Sequence, residues 1–463
     1  MHKLIRKIRR RMQKIAKDNE TLRGPIRALM NFYRLLRYKL ETFYRKVDDR
    51  TIIFASFAGQ SYSDNPKALF EYMIRDERFE DYTFVWGFKK NTASHRKRFA
   101  KLLEDLYPPE VDAPAGETDE TDTEYAAAGE GSLRHGPEIV TVKYGSKTWR
   151  KYLVSAKYWF FNFKVDDFLK PSKDQIFLQT WHGTPLKRLG YDLEHFDNVL
   201  NTKEGMKKRY GIEAKKFDYF ISPSPFASEK FRSAWRLDDF GKHDIILEEG
   251  YPRNDILTNF TADYADEIKS RIFGYYYLPY EKLIKKKTIV LYAPTFRSDQ
   301  HETGVGYVYK EEVDFEKLQK ELGQDFIILF RAHYLAAAQV DFGKFPGFVY
   351  NVSKYEDINE LFIISDILVT DYSSSMFDFA ILKRPMIFYM YDLEHYRDKS
   401  NGFYFDPEEE LPGPIIKTDD ELAAELKKAA SSFEYDEKYR RFNEKFNPVD
   451  DGHVCERIID RIF

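Results

Sequence analysis

Short apolar runs of strand type recur through this chain, and each leads into a polar cluster and then a helix-like stretch. Runs of this kind lie at 52–54, 82–86, 139–142, 156–163, 175–180, 219–221 and 244–247. The same rhythm resumes at 289–292, 326–330, 347–351 and 367–369. Strands alternating with helices over such a length predict an α/β chain built on mostly parallel, doubly wound sheets. At 463 residues the chain exceeds one typical core, so two such domains are expected. A polar helix near 262–273 and a Lys-rich connector at 282–287 mark the boundary. This divides the chain into 1–48, 49–275, 285–435 and a helical tail at 436–463 that could cross back.

The stretch 366–390 shows the rhythm most clearly. Ile367, Leu368 and Val369 form a buried-type strand, 371–375 a turn, 376–382 a helix, and 386–389 the next strand. Ser, Thr and Asp suit a helix start because their side chains cap free backbone N–H groups. A hydroxyl-rich turn where a strand feeds a helix also suits phosphate. Pattern alone leaves it open between an ordinary capped helix and an anion cradle.

Charge is unevenly distributed. The chain carries 73 basic and 76 acidic residues, a net charge of −3, which argues against a general nucleic-acid binder. Residues 1–50, however, hold 16 basic and 5 acidic side chains. In 1–17, Leu4, Ile5, Ile8, Met12 and Ile15 fall on one helical face. Lys3, Arg6, Lys7, Arg9, Arg10, Lys14 and Lys17 cover the rest. That pattern describes an interfacial helix, and each basic residue near an anionic leaflet contributes about 1 kcal/mol. A solvated helix or a nucleic-acid arm would share the pattern. Gly24-Pro25 predicts a break. Residues 26–46 then predict a second helix with Leu29, Met30, Tyr33, Leu36, Leu40 and Phe43 facing a core or a membrane. The reading carried forward is attachment to an anionic membrane surface through 1–46. It places the protein peripherally on the cytoplasmic face of the cell membrane.

Other features exclude whole classes. One cysteine, Cys455, rules out disulfide frameworks and Cys-based metal sites. No apolar run reaches 18 residues, so no spanning helix is expected. The stretch 109–135 holds eight acidic residues and few apolar ones, and is expected to be a disordered insertion. GxxxxGK[ST], HExxH and GxSxG are absent. No ordered segment carries a metal-binding acidic pair. No cofactor is firmly implied, and a divalent metal has no support in the sequence.

Polar clusters with reactive residue types fall just after predicted strands. They are His182; Ser222 and Ser224; Arg253 and Asp255; Thr295 and Arg297; Arg331 and His333; and 371–374. Open α/β sheets bind ligands at the carboxyl ends of their strands. Two such rims would face each other across a cleft. His182, between Trp181 and Gly183 and ahead of Pro185 where a helix is expected to start, is the general-base candidate. A neutral imidazole accepts a proton from an attacking hydroxyl; a core histidine bonded to a carbonyl is the alternative. His333 beside Arg331 has the character of an anion clamp.

Several of these segments resemble one family. They are TWHGTPLKRLG (180–190), SPSPFASEKF (222–231), GYPRND (250–255), LYAPTFR (291–297) and VTDYSSSMFDFAILKRP (369–385). SYSDNPKALFEYM (61–73) and DDGHVCER (450–457) join them. Together they are similar to the CDP-glycerol glycerophosphotransferases, the teichoic acid primases and polymerases. The likeness covers roughly 50–457 apart from the acidic insertion. One departure is Tyr334, where the family usually has Pro after the histidine.

The resemblance implies two Rossmann-like domains facing a cleft, of GT-B type, preceded by N-terminal amphipathic helices. It implies an acceptor-side domain at 49–275 and a CDP-donor domain at 285–435. It makes His182 the base. Arg331, His333, Asp371, Ser373, Ser374, Thr295 and Arg297 become the donor-binding set, with Gly183, Lys187, Ser224, Arg253 and Asp255 on the acceptor or cleft side. The implied partners are CDP-glycerol or CDP-ribitol and a lipid-linked polymer acceptor, with no nucleic acid. A nucleotide-sugar glycosyltransferase of the same architecture, or an assembly partner whose cleft is inactive, stays open at this point.

Overall fold

The computed structural model describes residues 20–91, 93–107, 136–194, 202–274, 286–295, 301–302, 306–307, 313–332, 340–399 and 402–463. The basic stretch 1–17 and the acidic stretch 109–135 lie outside them, as do Arg297 and His333. Contacts divide the chain into two units. One comprises Met1–Gln60, Glu77–Leu178 and Lys216–Asp218. The other comprises Ser61–Asp76, Gln179–Lys215 and Tyr219–Phe463.

The first unit holds β1 (Asp48–Ala55), β2 (Thr83–Phe88), β3 (Glu138–Lys143), β4 (Ala156–Phe161) and β5 (Ile176–Gln179), in the order β3-β2-β1-β4-β5. β1 lies parallel to β2 and to β4, with Ile53 opposite both Val85 and Trp159. Residues 51–55 of β1 are buried without interruption, as expected where both sheet faces are covered. Phe54 stacks on Trp86, ring centres 5.3 Å apart.

A helix over Glu20–Phe43 precedes β1 and runs through Pro25, so the break expected at Gly24-Pro25 is not found. A proline removes one ladder hydrogen bond, and the long amphipathic stretch beyond it sustains the helix. One face is anchored: Tyr38 is buried and donates to the Lys170 carbonyl at 2.6 Å, and Glu41 pairs with Arg150 at 3.3 Å. Along another, Leu29, Phe32, Tyr33, Leu36, Leu40 and Phe43 are 48–82% exposed.

In the second unit β6 (Tyr219–Ser222) and β7 (Ile246–Glu248) pair in parallel. A six-stranded sheet follows, built from β8 (Thr288–Ala293) and five later strands. β9 (His301–Glu302) and β10 (Gly306–Tyr307) form a small antiparallel pair outside it. The five are β11 (Phe326–Phe330), β12 (Val349–Asn351), β13 (Ile367–Thr370), β14 (Met386–Tyr389) and β15 (Ile415–Ile416). Their order is β12-β11-β8-β13-β14-β15, parallel throughout.

Side chains alternate across this sheet. Leu291, Leu329 and Leu368 enter one core with Phe377 and Phe442. Val290, Ile328 and Val369 enter the other with Phe315. From β8 the chain moves outward to β11 and β12, then returns to β13 on β8's other side. The direction of winding therefore reverses between β8 and β13, where doubly wound sheets place ligands.

Candidate functional site

The switch point is lined by the turn after β13 and the loop after β8. Asp371 binds the two together: its Oδ1 accepts the N–H of Tyr372 at 2.6 Å and that of Thr295 at 2.8 Å. Thr370 adds a bond from Oγ1 to the Ala293 carbonyl. Asp371 is buried, so it shapes the turn from behind. Tyr372 is buried too; its hydroxyl donates to Asp392 and its ring stacks on Tyr396 at 3.7 Å. Ser373 and Ser374 are half-buried on the turn. The Ser373 and Ser375 hydroxyls share a bond of 2.9 Å, and the helix Ser375–Ala380 follows.

His182 stands on the loop after β5. Trp181 is driven inward against Trp235, ring centres 4.7 Å apart, while His182 is exposed and stacks on Trp181 at 4.2 Å. Gly183 makes the approach to the serine turn: a Cβ built on it would lie 2.5 Å from Ser374 Oγ and 3.1 Å from Ser374 Cβ. Glycine suits that position because the Ser374 side chain occupies the space a side chain would need. The histidine loop and the hydroxyl turn, nearly two hundred positions apart in sequence, thus lie against each other.

No helix begins at Pro185, contrary to expectation. Residues 186–189 run extended because a distant segment takes their backbone groups. Lys187 bridges antiparallel to Phe403. Arg188 N–H donates to the Gly402 carbonyl, and Leu186 carbonyl accepts from Tyr404. Lys187 Nζ lies 5.0 Å from the Tyr396 ring centre, a cation–π distance that keeps it beside the turn.

Other predicted residues have structural partners. Ser224 caps the helix Pro225–Trp235 by accepting from Ala227 N–H. Asp255 accepts the N–H groups of Val454 and Cys455 and so caps the helix Val454–Ile462. Arg253 is 6% exposed, with one guanidinium edge on Asp64 and the other on Asp378. Arg253, Asp255 and Ser224 were expected toward the acceptor or cleft; each has polar groups engaged by partners within the fold. Arg331 donates to the carbonyls of Val352 at 3.3 Å and Tyr355 at 2.5 Å. Burial lowers its pKa, and Asp357 partly opposes the shift.

Sequence reasoning missed the buried polar network behind the loops. Asn65, Asp64, Asn254, Asn359, Asp378 and Asp450 surround Arg253. Burial opposes the charge on Arg253, yet Asp378 and Asp64 raise its pKa overall. Burial lifts the Asp378 carboxyl, with Arg253 pulling it back. The available signal was Asp378 itself, a lone acid between Phe377 and Phe379. A cavity of about 730 Å³ borders the network, with Lys67, Arg75, Tyr264 and Glu360 in its wall. Of the predicted site residues among those described, Arg253 and Asp255 reach it. Among the described residues no cluster of His, Cys, Asp or Glu is arranged to hold a metal ion.

The sheet order defines a doubly wound α/β protein whose winding reverses between β8 and β13, where sheets of this kind place ligands. The chain belongs to the CDP-glycerol:poly(glycerophosphate) glycerophosphotransferase family, which matches residues 36–108 and 116–463. This is the family its motifs resemble. It is 36% identical over 441 residues to the teichoic acid glycerol-phosphate transferase of Staphylococcus aureus, covering 93% of this chain and 98% of that one. It is 35% identical over 428 residues to the teichoic acid poly(glycerol phosphate) polymerase of Staphylococcus epidermidis, and 36% over 418 residues to that of Bacillus subtilis. Those matches cover 92% and 90% of this chain, which spans about half the length of the two polymerases, 52% and 49%. A solved structure of the wall teichoic acid polymerase TagF, a histidine-to-asparagine variant soaked with CDPG, aligns with a TM-score of 0.75. It is 33% identical and covers 96% of this chain and 97% of that one.

Proposed function

We propose that this protein transfers glycerol phosphate from CDP-glycerol to a hydroxyl of a lipid-linked acceptor or growing poly(glycerol phosphate) chain, releasing CMP. The observation that carries the reading is the approach of Gly183 to Ser374. It sets an exposed histidine beside a hydroxyl-rich turn at the sheet's switch point. Support also comes from the 36% identity to a glycerol-phosphate transferase over nearly its full length.

The turn at Ser373 and Ser374 receives the donor's diphosphate, with Thr295 at the end of the adjacent strand β8 and Arg331 at the end of β11 beyond it; Arg297 and His333 complete the proposed donor-binding set. The acceptor hydroxyl attacks the phosphorus nearest the glycerol. His182 takes the hydroxyl proton, the new P–O bond forms, and the bond to the bridging oxygen breaks to release CMP. Hydroxyl and cationic groups stabilise the charge that develops on the leaving phosphate.

Glycerol is favoured over ribitol because the ribitol-phosphate polymerases are more distant, at 30% identity or less. The exposed apolar residues of Glu20–Phe43 and the basic residues before them would hold the enzyme peripherally on the anionic cytoplasmic face of the membrane, where a lipid-linked acceptor lies. No helix among the described residues is long and apolar enough to cross a membrane. The reading is tested by mass analysis of products when CDP-glycerol and CDP-ribitol compete for one lipid-linked acceptor. Increments of glycerol phosphate are expected. Increments of ribitol phosphate, or turnover of a nucleotide sugar alone, would overturn it.

A further inference from the structure

We propose that Asn65 is a positioning residue for the transfer. In this role it fixes the His182 loop and, through Arg253 and Asp378, keeps that loop in register with the Ser374 turn. The inference rests on the roles given above to His182 and Ser374.

It begins with a conformation that needs holding. Trp181 has φ of +50°, a left-handed backbone that costs a bulky residue about 1–3 kcal/mol. Such a loop persists only where its surroundings fix it. Asn65 supplies the fixation. Its Nδ2 donates to the Thr180 carbonyl at 3.0 Å and to the Trp181 carbonyl at 3.4 Å. Gln179 Oε1 accepts the Trp181 N–H from the other side at 3.0 Å. These are the two peptide units immediately before His182.

The same amide reaches further. Asn65 Oδ1 accepts the backbone N–H of Arg253 at 3.1 Å. Asn359 donates to the Arg253 carbonyl at 2.6 Å. The Arg253 guanidinium spans Asp64, the residue before Asn65, and Asp378, with bonds of 3.2 and 2.9 Å. Asp378 lies on the short helix directly behind Ser373 and Ser374. A continuous run of hydrogen bonds therefore joins the histidine loop to the helix that carries the serine turn. Asn65 is fully buried, and Arg253 and Asp378 are 6% and 5% exposed. They act through the loops they hold. Loosening this frame shifts the base relative to the donor, and a misplacement of about 1 Å costs a reaction about 10²-fold.

The test uses the full chain with Asn65→Asp and Asn65→Ala. The aspartate keeps the shape and the acceptor for Arg253 N–H, but turns a carboxylate oxygen toward two carbonyls. The expected result for both is a kcat for CMP release from CDP-glycerol about 100-fold lower, with CDP-glycerol Kd changed less than threefold. Amide exchange at 180–184 should rise at least about tenfold, with exchange at 288–293 unchanged. A kcat within threefold of wild type, a loss of affinity equal to the loss of kcat, or unchanged exchange at 180–184 would overturn the proposal. If the wild type itself releases no CMP from CDP-glycerol, the functional reading fails, and the exchange measurement alone decides whether Asn65 holds the loop. If the aspartate variant does not fold, the alanine variant decides.

Discussion

Gly183→Ala places one methyl group where the histidine loop meets the serine turn. Its φ lies outside the left-handed region, so the substitution carries no backbone penalty, and the effect is purely one of space. The new Cβ would sit 2.5 Å from Ser374 Oγ and 3.1 Å from Ser374 Cβ. Ordinary carbon contacts begin near 3.4 Å, so the two loops must separate by about 0.3 Å if the Ser374 hydroxyl rotates away and by up to about 0.9 Å if it does not. Overpacking of this size costs about 1–3 kcal/mol of stability. Its catalytic cost is larger, because separation moves the base away from the donor: about 10²-fold in kcat for a shift near 1 Å. The assay is CMP release from CDP-glycerol, with the thermal midpoint measured alongside. Ser374→Gly removes both clashing atoms, so the double variant should be no slower than Ser374→Gly alone, a coupling that a double-mutant cycle resolves. A Gly183→Ala enzyme within threefold of wild type would refute the contact, and losses that simply add would do the same.

Three further outcomes follow from particular residues. Arg253→Ala strands the buried carboxylate of Asp378 and takes a partner from half-buried Asp64, and should lower the unfolding free energy by about 3–5 kcal/mol in denaturant titration; a loss under 1 kcal/mol would contradict the buried Arg253–Asp378 pair. Burial pushes the Asp450 carboxyl up to about 7, with neighbouring Asp378 adding to the shift and the Tyr251 N–H opposing it. The fold therefore holds this proton more tightly than the unfolded chain does. Stability from this group is full below about pH 4 and lost as pH rises toward 7, by at most about 4 kcal/mol. Asp450→Asn should flatten that fall in Tm between pH 5 and pH 8, and an unchanged pH profile would count against it. Replacing Phe32, Leu36 and Leu40 by Ser should weaken binding to anionic vesicles at least tenfold without lowering Tm, since these side chains are 48–62% exposed; undiminished binding would remove the helix face from the membrane account.

Where local signals and tertiary demands agree, the sequence was sufficient. The run Ile367–Thr370 became β13 and Met386–Tyr389 became β14, because uninterrupted apolar residues fit a sheet covered on both faces. The hydroxyl-rich turn lay where it was read for the same reason. Pro185 misled because a helix start is a local preference, while residues 402–404, far along the chain, claim the backbone of 186–189. Pro25 misled in the opposite sense: one lost donor did not end a helix continued by the amphipathic residues after it. Asn65 and Asp378 were invisible as a pair, since a turn residue before a proline and an acid in a short helix acquire meaning only when Arg253 is set between them. Arg253 itself was expected on the acceptor or cleft side. Its guanidinium pairs with half-buried Asp64 and buried Asp378, partners that no local pattern announces.

The central claim is that an exposed histidine held against the serine turn is the base for glycerol phosphate transfer. It is tested most directly by CMP release from CDP-glycerol with a lipid-linked acceptor, comparing wild type with His182→Ala. The account predicts turnover by the wild type and a loss of about 10²–10⁴-fold in the variant, with the affinity for CDP-glycerol unchanged. A variant that turns over within tenfold of wild type would contradict it.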